Sequence, residues 1–567
     1  MNSSVKQLFG EGVRKSQAGD SRRYNLLAAA LIANLVKNSL GPCGLEKIYI
    51  DIMGEVTVTK DGSALLRKVD VEHPAAKILI DAANTVDNEV GDGTTTVVIL
   101  AGTLLSRAQE LLMIGVAPST IIDGYIIALE IALQTLDRIS VLSNSIDIET
   151  MRRLAETCLK SKSISNVITR DNVGAADLVV DAVCIIADLQ NSKVDIDDIK
   201  IDKKLGNSSD IMLIRGTVLD KSLDSSSTRK YTQSAKILLI NEDLDMTKTR
   251  TDSELRISSY HQLQQYYKAE TELVGNKVQN IIDSGANVVI SQKGISGIAQ
   301  QYLSEADVIS IRRVKENDML WLEKSTNAKI TRDLDAPIPQ ENLGHAGRVY
   351  EKIVGEDKMV FVDECSNPRS VTLMLRANSK RLLDEYHRSV LDGFSVLRDY
   401  ILSPRIVGGA GATEVIIAAK VREKSKQITG RVQLVLQRFA DALEEIPVTL
   451  ARNAGMDTVN TIIQLRSKNL LSDRTGKWYG VNSKDRKTDN IFFSVIEPVL
   501  VKEQILKTAV EVACMLLRVD DVVMAKPAMQ THSHADGTSH SHPGGGKKHD
   551  HYFDRLGKQQ RPMHHYY

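Results

Sequence analysis

Apolar positions between 22 and 40 fall on one stripe, Leu26, Ala29, Ala30, Ile32, Ala33 and Val36, which predicts a helix with a buried face. Gly41-Pro42 ends it. KIYIDIMGEVTVTKDG at 47–62 alternates, is rich in β-branched residues, and carries turn signals at Gly54 and Asp61-Gly62, so a hairpin is predicted. From 74 to 138 the helical period dominates, with breaks at Gly91-Asp92-Gly93 and near Gly115–Pro118. The middle of the chain has a different character. IMLIRGTVLD at 211–220, AKILLI at 235–240, NVVISQKG at 287–294 and VISIRRV at 308–314 read as short buried strands separated by helical segments, an α/β pattern. Helix returns from about 380 to 470, and no solenoid-type repeat occurs. A helical domain built from both ends of the chain, with the middle inserted, explains the order helical, α/β, helical. Domains strung in a row explain it equally.

Composition narrows the field of functions. The 567 residues suggest roughly three to four domains, and with 42% apolar and 25% charged residues the chain has an ordinary soluble make-up. Lys+Arg and Asp+Glu both total 72, so nothing in the balance favours a nucleic-acid partner. Aromatic residues, at 4%, are too scarce for base-stacking platforms. The five cysteines, Cys43, Cys158, Cys184, Cys365 and Cys514, are scattered, odd in number and without a CxxC, as expected for reduced, mostly buried thiols of a cytoplasmic protein. The N-terminus lacks the apolar core of a secretory signal, and VVILAGTLL at 97–105 is too short to span a membrane. After about 526 the apolar period stops and eight of the twelve histidines appear (His532, His534, His540, His542, His549, His551, His564 and His565). This tail is expected to be disordered. Its HSH and HDH clusters read either as a flexible, pH-sensitive tail or as a site for Zn²⁺, Ni²⁺ or Cu²⁺.

Three glycine-rich stretches could carry chemistry: Gly41-Pro42-Cys43-Gly44, Gly91-Asp92-Gly93-Thr94-Thr95-Thr96 and Gly408-Gly409-Ala410-Gly411-Ala412-Thr413. In the second, glycines allow close backbone approach, and three threonines then open a helix whose N–H groups suit a phosphate. Asp92 fits there as the ligand of a Mg²⁺ shared with the phosphates. The same residues also read as a plain loop that caps a helix. There is no GxxxxGK[ST], no GxGxxG after a strand, no HExxH and no GxSxG. In RLLDEYHRSVLDGFSVLRDYIL the apolar stripe is Leu383, Tyr386, Val390, Phe394, Leu397 and Ile401. Asp392 falls opposite it with Glu385, Arg388 and Asp399, so spacing alone predicts a solvated polar face. Asp61 by itself reads as an ordinary Asp-Gly turn.

DNEVGDGTTTVVILAGTLL at 87–105 resembles the phosphate-binding signature of the chaperonins, and SLGPCGLEKIYID at 39–51 resembles their other phosphate loop. VEHPAAKILIDAA at 71–83, SGANVVISQKGISGIAQQYL at 284–303 and GEDKMVFVDEC at 355–365 are similar to the group II branch, and within it to the archaeal thermosome, a relative of the eukaryotic cytosolic chaperonin. The likeness runs from about residue 10 to about 525 in the family's order. It implies a multidomain chaperonin fold: a mainly α-helical equatorial ATPase domain from 1–146 and 403–526, a small α/β intermediate domain from 147–216 and 366–402, and an α/β apical domain at 217–365. A helical protrusion at about 241–275 would serve as a built-in lid, and 527–567 would be the tail. The implied function is that of an ATP-dependent molecular chaperone, a double ring of identical or paralogous subunits that encloses unfolded proteins without a separate lid protein, nucleic acid or membrane.

Residue by residue, the resemblance implies that Leu40, Gly41 and Pro42 wrap the nucleotide and that Asp92 ligates Mg²⁺. Gly91, Gly93, Thr94, Thr95 and Thr96 would cradle phosphate. Asp61 and Asp392 would place the attacking water, Lys162 would sense the γ-phosphate, Glu497 would meet the ribose, and Gly409, Ala410 and Gly480 would lie on the nucleoside side. The chain departs from the family pattern at Ala410, where a glycine is usual, at Lys60, where an asparagine is usual, and at Arg376-Ala377-Asn378, usually Arg-Gly-Gly. A β-carbon at Ala410 gives reason to weigh a ring or filament subunit with weak hydrolysis.

Overall fold

The computed structural model describes residues 14–15, 18–50, 53–54, 56–69, 71, 73–143, 146–189, 191–223, 229–245, 259–470, 477–492, 494–520, 523–524, 529–533 and 539–543. Residues 1–24 and 519–567 form one compact unit and residues 25–518 another. In the first, Arg14–Lys15 pairs antiparallel with Val523–Met524, Met529–Ser533 pairs antiparallel with Ser539–Pro543, and Arg22 bonds Asp520 at 2.9 Å. The expected disorder of the tail and its metal-binding histidine clusters fall otherwise outside the described residues.

The larger unit follows the apolar pattern closely. Helix α1 (Ala18–Lys37) leads to a positive-φ glycine, Gly41, and then to the hairpin β1 (Lys47–Ile50) and β2 (Val56–Thr59). The second turn signal is no turn. Asp61 caps helix α2 (Gly62–Lys68), its Oδ2 accepting from the Ala64 N–H at 3.0 Å. The long helical region breaks where its glycines and prolines stand, giving α3 (Pro74–Val90), α4 (Thr94–Met113) and α5 (Pro118–Ile139), followed by β3 (Val141–Leu142). Helices α6 (Ile148–Leu159) and α7 (Ala175–Ile186) precede strands β4 (Ile199–Leu205), β5 (Met212–Ile214), β6 (Thr217–Leu219) and β7 (Tyr231–Ile240). Then come α8 (Tyr260–Asp283), β8 (Val288–Ser291), α9 (Gly297–Glu305), β9 (Ile309–Ile311), α10 (Glu316–Thr326), β10 (Ile330–Thr331), β11 (Gly344–Val354), β12 (Asp357–Asp363) and β13 (Val371–Ala377). The helical return is several helices rather than one: α11 (Lys380–Leu402), strand β14 (Arg405–Gly408), α12 (Ala412–Ser425), α13 (Arg431–Leu443), α14 (Glu445–Asn453) and α15 (Thr458–Leu470). Strands β15 (Tyr479–Asn482), β16 (Lys487–Asn490) and β17 (Ile496–Pro498) lead into α16 (Val499–Arg518).

The middle segment is built on a seven-stranded mixed sheet in the order β9-β8-β7-β11-β12-β6, with β10 paired parallel to β7. Strands β6, β8 and β9 and the end of β7 are buried on both faces because both faces are covered there. Ile237 and Leu239 of β7 point to the core that contains Met319 and Leu322 of α10. Their neighbours Leu238 and Ile240 point to the core that contains Val278 and Ile281 of α8 and Leu303 of α9. A second sheet, β4-β13-β5, packs with α6, α7 and α11 around Leu154, Val179, Leu373 and Phe394.

One large helical core draws on both halves of the chain. Leu79, Val98, Leu104 and Tyr125 share it with Val435, Phe439, Ala509 and Leu516. Close backbone approach helps it form. A β-carbon at Gly102 of α4 would stand 2.3 Å from Ala33 Cβ and 3.1 Å from the Ala29 carbonyl, so only glycine lets α1 and α4 touch there. The apolar stretch at 97–105 is part of the 20-residue helix α4, which together with α5 has the length and composition of a membrane span. The expectation that this segment is too short is thereby corrected. Its apolarity is accounted for by packing: Val97, Val98, Ile99, Leu100 and Ala101 are all buried in the helical core.

Candidate functional site

The Gly91–Thr96 stretch joins α3 to α4. Gly91 closes α3 at φ +67, and Gly93, at φ +84, stands at the N-cap of α4. Both positions favour glycine, and both are tightly enclosed. A β-carbon on Gly93 would lie 2.4 Å from Ile505 Cδ1, and one on Gly91 would lie 2.3 Å from Ser395 Cβ. Between them Asp92 turns back so that its Oδ1 accepts from the Gly93 N–H at 2.7 Å. The first turn of α4 presents Thr94, Thr95 and Thr96, and Thr94 donates to Asp61 Oδ1 at 3.3 Å.

Around this turn opens a cleft with about 520 Å³ of empty space, its mouth included. It is lined by Ser39, Leu40, Gly41, Lys60, Asp61, Asp92, Gly93, Thr94, Thr95, Thr96, Ser161, Lys162 and Asp392. These residues come from the end of α1, the cap of α2, the start of α4, the segment after α6 and the middle of α11. A larger cleft lies elsewhere, walled by Ile199, Trp321, Lys324, His387 and Leu391. It contains none of the glycine-rich motifs, so size does not identify the site here; the convergence of three carboxylates, two ammonium groups and a helix N-terminus does.

The polar face of α11 is not solvated, contrary to what its spacing predicts. Glu385 is buried and accepts from Thr59 Oγ1 at 3.2 Å and from Arg388 at 2.6 Å. Asp392 pairs with Lys162. Arg398 donates to the Glu89 carbonyl at the end of α3 and also holds Asp399, which is itself 2% exposed. The helix is thus docked at three heights, on the end of β2, the segment after α6 and the end of α3, and this places Asp392 in the cleft. Burial pushes the Asp392 carboxyl up to about 8, with the nearby negative charge of Asp61 adding to the rise and Lys162 opposing it. For Lys162, burial works against the charge, yet Asp392, Cys158 and Asp92 together hold the ammonium well above the usual lysine value.

A second group of candidates gathers beyond the carboxylates. Gly409 accepts the Ala412 N–H, and a β-carbon on it would meet Glu497 Oε1 at 2.4 Å. Gly480 faces Ala410, whose carbonyl accepts from the Val481 N–H at 3.0 Å. Ala410 adopts φ +51, the left-handed conformation a glycine would take. Its methyl group is accommodated because Gly480 has none: a β-carbon on Gly480 would stand 3.1 Å from Ala410 Cβ. Lys502 bonds both Glu414 at 2.7 Å and Glu497 at 2.8 Å, a buried ionic triad beneath this loop. Burial raises the Glu497 carboxyl against the pull of Lys502, and Asp92 adds to the rise, so the two groups of residues share one electrostatic neighbourhood.

Of the residues singled out from sequence, Leu40, Gly41, Asp61, Asp92, Gly93, Thr94, Thr95, Thr96, Lys162 and Asp392 line the cleft. Pro42 adjoins it through its carbonyl, which Lys60 Nζ reaches at 3.0 Å, and Gly91 underlies it against Ser395. Gly409, Ala410, Gly480 and Glu497 form the neighbouring group. Sequence reading missed Ser39 and Ser161 in the wall, the Glu385–Thr59 clamp, and Lys502 and Glu414. The serines and the clamp carry no signal, whereas the triad carries one: Glu414 and Lys502 are charged residues inside largely apolar helical stretches. Among the described residues no three His, Cys, Asp or Glu side chains converge closely enough to cage a metal. The donor set, single carboxylates beside a phosphate-type cradle, fits Mg²⁺ bound through one carboxylate, phosphates and water.

Comparison with known proteins points the same way. Residues 32–527 match the TCP-1/cpn60 chaperonin family. The chain is 40% identical to thermosome subunit alpha of Aeropyrum pernix over 522 residues, covering 91% of this chain and 93% of that one. It is 40% identical to thermosome subunit beta of Archaeoglobus fulgidus over 523 residues (92% and 94%), and 39% identical to the thermosome subunit of Pyrococcus abyssi over 523 residues (92% and 94%). With residues 32–527 matched and nine-tenths of its length shared with these relatives, the chain belongs to the TCP-1/cpn60 chaperonin family, as a molecular chaperone of the group II branch.

Proposed function

We propose that the cleft binds ATP and hydrolyses it, and that hydrolysis drives the enclosure of unfolded proteins within a double ring of identical or paralogous subunits. The observation that carries this reading is the meeting of Asp61, Asp92, Lys162 and Asp392 in one cleft at the N-terminus of α4. The γ-phosphate would lie over the first turn of α4, where backbone N–H groups and the threonine hydroxyls offset its charge. Asp92 would hold Mg²⁺, which when bound neutralises phosphate oxygens and polarises the transferred group. Asp61 and Asp392 orient the attacking water in line with the bond that breaks, and one of them accepts its proton. Lys162, drawn from Asp392 towards the γ-phosphate, stabilises the charge that builds there. The group of Gly409, Ala410, Gly480 and Glu497 would receive the nucleoside, with Glu497 at the ribose.

The domain reading follows the cores. The shared helical core supports an equatorial domain from 1–146 and 403–526. The β4-β13-β5 sheet with α6, α7 and α11 supports an intermediate domain from 147–216 and 366–402, and the seven-stranded sheet supports an apical domain at 217–365. Helix α8 would form one limb of a built-in lid at about 241–275, of which residues 246–258 lie outside the described set. Asp392 and Lys162 sit on the intermediate segments, so movement of those segments would couple hydrolysis to closure. The five cysteines are free thiols, three of them buried, which suits the cytoplasm. The weaker-ATPase alternative loses part of its motive, because Gly480 makes room for Ala410. A steady-state ATPase assay on purified assemblies, with negative-stain images with and without ATP, tests the proposal. Rings that turn over no ATP would reject it in favour of a purely structural subunit.

A further inference from the structure

Thr59 ends β2 and is 2% exposed. Its hydroxyl is bonded in two directions. It accepts the Asp61 N–H at 3.1 Å and donates to Glu385 Oε2 on α11 at 3.2 Å. A hydroxyl has a single proton to give, and here Glu385 takes it. Glu385 is fixed from its other side by Arg388, which donates to the same oxygen at 2.6 Å. Neither Thr59 nor Glu385 lines the cleft, so neither reaches the reacting atoms. Their places on the elements matter instead. Glu385 stands two turns before Asp392 on the same side of α11, about 10 Å along its axis. Asp61 is pinned on its own side by the Ala64 N–H at 3.0 Å and the Thr94 hydroxyl at 3.3 Å. The Thr59 hydroxyl therefore ties the backbone that carries one cleft carboxylate to the helix that carries the other.

We propose that Thr59 is a positioning residue for hydrolysis: its hydroxyl, held between the Asp61 N–H and the Glu385 carboxylate, sets the spacing of Asp61 and Asp392 across the attacking water. The inference rests on the reading of this cleft as an ATPase site. In that reading Lys162 leaves Asp392 for the γ-phosphate, so their ion pair cannot keep the spacing during the reaction. Arg398 anchors α11 to the Glu89 carbonyl, which belongs to α3 and not to the segment bearing Asp61. The bond from Thr59 to Glu385 is buried and charge-assisted, so water competes with it poorly.

The test is steady-state ATPase and direct ATP binding on the full-length chain carrying Thr59→Val, Thr59→Ser or Glu385→Asp, each alone and combined with Asp392→Asn. Thr59→Val keeps the side chain's shape and loses both bonds. It should lower kcat by about ten- to hundredfold and leave the ATP Kd unchanged. Glu385→Asp draws the carboxylate back by one methylene and should do the same, which decides the matter if Thr59→Val fails to fold. Thr59→Ser keeps the hydroxyl and should keep most of the turnover. In the Asp392→Asn background Thr59→Val should cost nothing further, because the spacing to a missing carboxylate has no value. The proposal is overturned, with the ATPase site left standing, if Thr59→Val turns over like the wild type, if Thr59→Ser is no better than Thr59→Val, or if Thr59→Val reduces the residual activity of Asp392→Asn by its full factor. A wild-type chain that hydrolyses no ATP, or an Asp392→Asn chain as active as the wild type, overturns the underlying reading of the cleft and the positioning role together.

Discussion

Asp392 shows how much one side chain's setting can differ from what its spacing suggests. Burial raises its carboxyl to about 8, with Lys162 opposing and Asp61 adding to the rise, so kcat/KM for ATP should rise with pH through about 8. Asp392→Asn should flatten that limb and cut turnover by about 10²- to 10⁴-fold, with ATP binding retained; initial rates against pH and a direct binding measurement check both. Asp399 makes a stability prediction. Burial lifts its carboxyl to about 6 against the opposition of Arg398, and among the described residues its Oδ2 has no hydrogen-bond partner. Its folded value lies above its unfolded one, so the protonated form stabilises the native state below about pH 4, and that contribution is lost as pH rises to about 6. The loss amounts to about 3 kcal/mol. Asp399→Asn should therefore gain on the wild type across that window, as read from urea midpoints at pH 4 and pH 7. Ala410, at φ +51, carries left-handed strain of about 1 kcal/mol, of which glycine's greater freedom in the unfolded chain would cancel part. Ala410→Gly should thus raise stability only slightly while leaving the loop's shape unchanged.

At the scale of elements, the junction between α3 and α4 is the sensitive point. A methyl group at Gly93 meets both a forbidden φ and Ile505 of α16, so Gly93→Ala should cost about 1–3 kcal/mol. It should also weaken nucleotide binding, since the α4 N-terminus must shift; thermal melts and calorimetry on one preparation measure both. The same junction was plain in the sequence, because glycines, an aspartate and threonines before an apolar run announce a loop that opens a helix. Helices α3, α4 and α5 were legible for a related reason: Gly91–Gly93 and Gly115–Pro118 interrupt an otherwise continuous helical period. The short strands of the middle segment were legible as buried runs, though not their order, because register between distant strands leaves no local trace. The inward turn of α11's polar face was hidden. Amphipathic spacing reports only that one side differs from the other, and a polar side can face water or a charged cleft. Glu385, Asp392 and Arg398 found partners on segments more than two hundred residues away, and only a family resemblance hinted at this.

In the whole molecule, cores decide which pieces can stand alone. The two larger cores flanking the seven-stranded sheet consist of residues between 219 and 365, and only a smaller cluster around Phe361 borrows Ile214 and Met374 from outside. An isolated 217–365 fragment should therefore melt cooperatively, as followed by far-ultraviolet circular dichroism. A fragment ending near residue 402 should not fold its helical part, because Val435, Phe439, Ala509 and Leu516 would be missing from that core. Beneath the site, Lys502→Met would leave Glu414 and Glu497 buried without their counter-charge, a change expected to cost about 3–5 kcal/mol by chemical denaturation. The shared helical core also has a consequence for synthesis. When α3, α4 and α5 leave the ribosome, the segments that must cover them are several hundred residues from being made, a wait of roughly half a minute at ordinary elongation speeds. Through that interval a subunit of a folding machine exposes the kind of sticky surface such machines exist to shield. The newborn chain is thus itself a natural client for holding factors until its last long helix arrives.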